Sequence, residues 1–139
     1  MSVDSLVKEI LTVVRTLSET ELSNLSGDTL SRLAVKLASY KASLGEHVAE
    51  ARNRVWEAEA SYDLVRAESY SQLRDDGKGS TDASELKRID AHDAFVALNE
   101  AKYNYERIST LHSDCHDLID GIKSRLIHLQ SERRESSVY

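Results

Sequence analysis

Residues 94–129, AFVALNEAKYNYERISTLHSDCHDLIDGIKSRLIHL, decide the fold. Within them Ala94, Leu98, Ala101, Tyr105, Ile108, His112, Cys115, Ile119, Ile122, Leu126 and Leu129 recur at alternating steps of four and three. That spacing keeps one seam on one side of a long α-helix. A seam of this length needs a second helix to cover it, and the upstream sequence supplies one. From Asp28 to about Arg74 the seam reads Leu30, Leu33, Leu37, Tyr40, Leu44, Val48, Ala51, Val55, Ala58, Tyr62, Val65 and Ser69. Its steps also alternate, with one added step of four between Leu44 and Val48. Such a stutter locally unwinds a supercoil. At 1.5 Å per residue this helix spans on the order of 70 Å.

Between the seams lies Asp75-Asp76-Gly77-Lys78-Gly79-Ser80-Thr81-Asp82, rich in glycine and turn-forming polar residues. It predicts a loop at 75–82, with Thr81 or Asp82 capping a last helix that runs from about Ala83 to Arg133. Two seamed helices joined by a short loop make an antiparallel helical hairpin. Ahead of it, Val3, Leu6, Val7, Ile10, Leu11, Val14 and Leu17 predict a short amphipathic helix over Asp4–Leu17. Ser18-Glu19-Thr20-Glu21 has capping-box spacing before a short turn at Leu22 and Leu25, and Asp28 is the expected N-cap after Gly27. The expected organisation is an N-terminal helical segment at 1–26, a hairpin at 27–134 and a frayed tail at 135–139. The fold class is all-α.

Composition supports this and removes other classes. The 139 residues include no proline, five glycines and one cysteine. Proline would interrupt a helix interior, so its absence suits long unbroken seams. One cysteine builds neither a disulfide framework nor a multi-cysteine zinc site. No apolar run approaches the roughly 20 residues that cross a bilayer. The start, Met1-Ser2-Val3-Asp4, lacks the basic-then-apolar pattern of a secretory signal, so a cytoplasmic protein is expected. A two-helix hairpin buries little surface on its own. Self-association of the long helices, side by side, is therefore expected, against the alternative of a monomeric three-helix bundle.

The net charge of −6 counts against general electrostatic attraction to nucleic acid. The basic residues nevertheless have an order. With the loop centre as the tip of the hairpin, residues whose numbers sum to about 157 face each other. Arg32, Lys36 and Lys41 then come alongside Lys123 and Arg125, and Arg66 comes near Lys87 and Arg88, with Arg52 and Arg54 between the two groups. A modest basic stripe on an acidic chain gains weight when an oligomer repeats it. Tyr70, off the seam and one turn from Arg66, adds a ring of the kind that stacks single-stranded bases. Tyr103 is also off the seam, whereas Tyr40, Tyr62 and Tyr105 are seam residues and are read as core.

Other constellations fit packing better than chemistry. His112 and His116 stand four apart with Cys115 between them, a spacing compatible with metal binding, and His47 falls near His112 in the same register. His112 and Cys115, however, are seam positions, where packed side chains are the rule. Asp90-Ala91-His92-Asp93 and Asp114-Cys115-His116-Asp117 repeat D-x-H-D, the kind of carboxylate pair that helical pyrophosphohydrolases use to hold magnesium. Here the two lie more than six turns apart and off the seam. Gly77-Lys78-Gly79 is too short for a phosphate loop. No cofactor, metal or catalytic residue is expected.

Specific strings then carry a resemblance. Arg66-Ala67-Glu68-Ser69-Tyr70-Ser71 precedes the glycine loop, and Ser84-Glu85-Leu86-Lys87 follows it. Cys115 stands six residues ahead of Ile122-Lys123-Ser124-Arg125. In order and spacing these resemble the UvsY-type recombination mediators of T-even-type phages, over roughly residues 60–130. The resemblance implies a small helical protein forming a homo-oligomeric ring in the cytoplasm of an infected bacterium. It implies binding of single-stranded DNA, contact with a RecA-like recombinase and with single-strand-binding protein, and no catalysis. Family DNA contact uses a Lys-x-Arg pair before the loop. Arg66 matches the arginine, but Leu64 stands where the family has lysine. Lys87, Lys123 and Arg125 match family basic positions, and residues 1–55 show no match. The DNA-contacting set expected is Arg66, Tyr70, Lys87, Arg88, Lys123, Arg125, Arg52 and Arg54. The other reading is a coiled-coil scaffold or assembly protein of a phage, without nucleic-acid binding.

Overall fold

In a computed structural model the described residues form four α-helices: α1 (Val3–Glu19), α2 (Gly27–Asp75), α3 (Ser80–Asp90) and α4 (His92–Val138). The structure describes residues 1–20 and 24–138, with side chains through residue 136. No strand occurs among the described residues. The chain divides into two compact units. One comprises Met1–Val48 with Ile108–Tyr139, the other Ala49–Arg107. The N-terminal helical segment, α1, belongs to the first unit together with parts of α2 and α4.

In that unit the buried side chains are Leu6, Ile10 and Val13 of α1, Leu30, Leu37 and Leu44 of α2, and Ile108, Cys115, Ile119 and Ile122 of α4. Leu30, Leu37 and Leu44 are spaced by sevens, as are Ile108, Cys115 and Ile122. On α2 one seam position per heptad is fully covered and its companions Leu33 and Tyr40 are half-buried, whereas on α4 the companion Ile119 is buried as well. On α1 the apolar stripe is wider than the face that packs. Val13 is buried, Val14 and Leu17 are only half-buried, and Leu11 is 48% exposed.

Polar contacts set the alignment. The Tyr40 hydroxyl donates to Glu9 Oε2 at 3.1 Å, and His47 Nε2 lies 2.8 Å from the Met1 carbonyl oxygen. α1 thus runs antiparallel to α2 and begins level with His47. The stutter falls there. Before Leu44 the half-buried companion follows each buried residue by three. After it, Val48 and Val55 follow Leu44 and Ala51 by four, which moves the companion to the other flank. The seam changes flank where α1 starts to cover α2.

The second unit is packed around smaller residues. Ala51, Ala83, Ala91 and Leu98 are buried, and the Tyr62 and Phe95 rings pack at 5.8 Å between centroids, tilted by 49°. Small side chains let helices approach closely, at the cost of apolar area. The Ser69 hydroxyl donates to Asp90 Oδ2 at 2.6 Å, tying α2 to the end of α3.

Several expected boundaries are corrected. The N-cap of α2 is Ser26, not Asp28: the Thr29 N–H donates to Ser26 Oγ at 3.2 Å. The loop is Asp76–Gly79, shorter than 75–82, because Ser80 already begins α3. Thr81 and Asp82 are inside the first turn of α3, and the N-cap position is Gly79, with no side-chain cap bond. The helix expected from Ala83 to Arg133 is two helices that meet at Ala91, whose φ of −88° and ψ of 7° leave the helical region at a fully buried alanine. The tail expected to fray from residue 135 is helical to Val138. The proposed capping box ending at Glu21, and the turn at Leu22, involve residues outside those described.

The end of α2 explains one glycine. Lys78 N–H donates to the Leu73 carbonyl at 3.0 Å and Gly77 N–H to the Arg74 carbonyl at 3.1 Å. These are the paired bonds of a Schellman motif, with Gly77 at φ 85° in its left-handed position. Gly79 has φ −64°, open to any residue. Gly77→Ala is expected to lose about 1 kcal/mol of stability and Gly79→Ala to stay close to wild type, as measured by urea unfolding.

Candidate nucleic-acid interface

Six of the eight expected contact residues lie in the second unit, and Lys123 and Arg125 lie in the first. In the second unit the cations are not spread evenly along a stripe. Three of them sit on tyrosine rings. The Arg52 guanidinium is 5.7 Å from the Tyr105 ring centroid, and its Nη2 donates to the Tyr105 hydroxyl at 3.2 Å. Arg66 lies 5.2 Å from the Tyr62 centroid, and the Lys87 ammonium 5.2 Å from that of Tyr70. A cation over the negative face of a ring is attracted to it, and alkyl stem and ring bury apolar surface together.

Two of these pairs cross between helices at the expected register: residue 52 with 105, and 70 with 87. The third is an i,i+4 pair on α2. The cation expected beside Tyr70 was Arg66. The structure places Lys87 there and turns Arg66 to Tyr62, because four residues back along the helix is the direction in which helical side chains reach. Tyr62 and Tyr105, read as core alone, are half-buried and each also carries a cation. Applying the facing rule to tyrosines as well as to cations identifies Tyr105.

The other residues divide by surroundings. Arg54 pairs with Glu50 at 2.6 Å on the exposed face of α2. Arg88 is exposed and lines a shallow hollow with Ile89, Asp90, His92 and Asp93. In the first unit Lys123 is exposed, while Arg125 is half-buried. The Nε atoms of Arg66 and Arg125 are buried and make no hydrogen bond. Arg32 and Lys36, in the same unit as Lys123 and Arg125, are exposed on either side of Val35. The second unit also leaves Trp56 (59%), Leu64 (58%), Ile89 (69%) and Tyr103 (70%) open to water.

In the histidine–cysteine group His112 is half-buried and His116 exposed. Cys115 is fully buried, and its thiol donates to the Leu37 carbonyl at 3.3 Å. Lys41 Nζ lies 2.7 Å from His116 Nδ1, and His116 Nε2 lies 3.2 Å from Asp120 Oδ2. Both contacts are satisfied by one imidazole tautomer, with the proton on Nε2. His47 turns to the Met1 carbonyl instead of joining His112. Among the described residues no group of three or more His, Cys, Asp or Glu is placed to hold a metal ion. No described helix is long and apolar enough to cross a membrane.

No protein-family model, curated protein or solved structure matches the chain.

Burial raises the Cys115 thiol above its ordinary pKa, partly opposed by the nearby Lys41 charge. Desolvation and the Glu9 carboxylate raise Tyr40 in the same way. Each group stays neutral in the folded chain while the unfolded chain begins to ionise. Both therefore contribute stability that is complete below the unfolded pKa and is lost as pH rises through the folded one. Melting temperature is expected to fall once pH enters the ordinary thiol range. Cys115→Ala should flatten the first part of that fall and Tyr40→Phe the later part.

Proposed function

We propose that the chain is a non-catalytic recombination mediator that binds single-stranded DNA as a homo-oligomer. In this role it helps load a RecA-like recombinase on strands occupied by single-strand-binding protein. The observation that carries the proposal is the set of cation–tyrosine pairs in the second unit: Arg52 with Tyr105, Arg66 with Tyr62 and Lys87 with Tyr70. Cations beside aromatic faces are the elements from which sequence-tolerant single-strand sites are made, the charge following phosphates and the ring stacking on bases. The strings resembling UvsY-type mediators include Arg66, Tyr70 and Lys87, so resemblance and geometry point to the same residues.

The net charge of −6 suits such a role. Contacts restricted to a few cations per subunit are weak singly and add through the oligomer. A mediator that bound strands strongly and uniformly would hold the DNA it has to hand on. The exposed Trp56, Leu64, Ile89 and Tyr103 supply apolar surface for self-association or for the recombinase.

Fluorescence anisotropy of a labelled single-stranded oligonucleotide tests this. Binding is expected at micromolar protein and low salt. Arg66→Ala combined with Lys87→Ala should weaken it about tenfold or more, and should lower the slope of log K against log salt by about 1.4 for two lost phosphate contacts. Leu64→Lys, at an exposed position, restores the family's Lys-x-Arg pair and should tighten binding. No anisotropy change at low salt would overturn the proposal in favour of a scaffold protein without nucleic-acid binding.

A further inference from the structure

The first unit carries two surface features that match each other. Between α1 and α4 lies an apolar hollow of about 430 Å³, walled by Val14 and Leu17 on one side and Leu118, Gly121 and Ile122 on the other. The exposed carboxylates of Asp114 and Asp117 also line it. Gly121 accounts for part of the opening: a Cβ built there would meet nothing within 4 Å. Packing within the chain therefore does not require glycine at this position, although glycine inside a helix costs stability.

The second feature is on α2. Val35 is 70% exposed, with Arg32 and Lys36 beside it. It is half a turn away from the face that buries Leu30, Leu37 and Leu44, so it points away from the core of its own unit. One feature is an apolar recess with two carboxylates, the other an exposed apolar side chain with two cations beside it. Hydrophobicity and charge are complementary between them.

We propose that Val35 of one copy of the chain enters the α1–α4 hollow of another, with Arg32 and Lys36 meeting Asp114 and Asp117. The proposal deepens the self-association in the reading above and rests on it, not on DNA binding. Two contacts of standard size, at about 800 Å² per partner each, fit within the 9448 Å² that the chain exposes. The donor surface and the receiving surface are different, so the contact is heterologous. Repeated from copy to copy it makes a ring if the rotation closes and a filament if it does not.

Light scattering on the full chain, with circular dichroism to confirm helix content, tests this. Wild type is expected to be an oligomer. Val35→Asp puts a charge in place of the apolar side chain, and Gly121→Leu fills the recess with a residue that favours helix. Each should shift the mass toward the 15.6 kDa monomer while leaving helix content intact. Mixed together, the two variants retain one competent Val35 surface and one competent recess between them. They should form a complex of twice the chain mass and stop there. Lys36→Glu and Asp117→Lys should each weaken assembly, and the double variant should recover it. If the wild type is a monomer, the self-association reading and this proposal both fall. If the wild type is an oligomer and these variants keep its mass, only the assignment of the contact is overturned.

Discussion

The seam of α2 against α4 is the constraint from which the rest of the first unit follows. Leu30, Leu37 and Leu44 of α2 and Ile108, Cys115 and Ile122 of α4 each recur seven apart and are nearly dry, and the Cys115 thiol bonds the Leu37 carbonyl. A seven-residue repeat commits a helix to one partner face and leaves the flanking position half-covered. α1 takes that flank while it lasts, with Tyr40 bonded to Glu9 and His47 beside Met1. The added step after Leu44 is the sequence's adjustment to the place where this third helix begins. The compact unit that contains α1 ends at Val48, within the same turn.

The second unit meets a different demand. Its buried residues are mostly alanines, so apolar area contributes less there than in the leucine-based unit. Rings and cations provide much of the remaining lateral contact, through Tyr62 with Phe95 and three cation–tyrosine pairs. A side chain engaged this way has a stem and ring packed together and a polar end near water. Structural support thus resides in the same residues that the proposed function assigns to the DNA contact.

Much of the fold was legible, and the failures have causes. Both seams were readable because periodicity survives without knowledge of the partner. None of their residues is exposed in the structure. The facing rule held in each unit, for Lys41 with His116 and for Arg52 with Tyr105. The break at Ala91 was not readable: alanine is a strong helix former, and neither glycine nor proline marks the turn. The cap of α2 was displaced by two residues because Ser26 and Asp28 are both good cap residues, and only backbone geometry chooses between them. For the candidate interface, the sequence shows which cations come level with each other across the hairpin but not which ring each one meets. Arg66 had two tyrosines within reach on its own helix, Tyr62 and Tyr70, and the competing Lys87 comes from another helix.

By itself, the sequence determined what local chemistry and periodicity determine: an all-helical chain, two seams facing each other across a glycine turn, and a charge pattern with a few grouped cations. Tertiary structure decided what depends on a third body. It showed which part of the α1 stripe packs, burying Leu6 and Ile10 with Val13, which lies outside the expected stripe, and leaving Val14 and Leu17 beside an open hollow at Gly121. It also assigned each cation to its ring. Periodicity reports the direction a side chain faces. How much of that face is covered depends on the length and position of the neighbouring helix, which no repeat within one helix encodes.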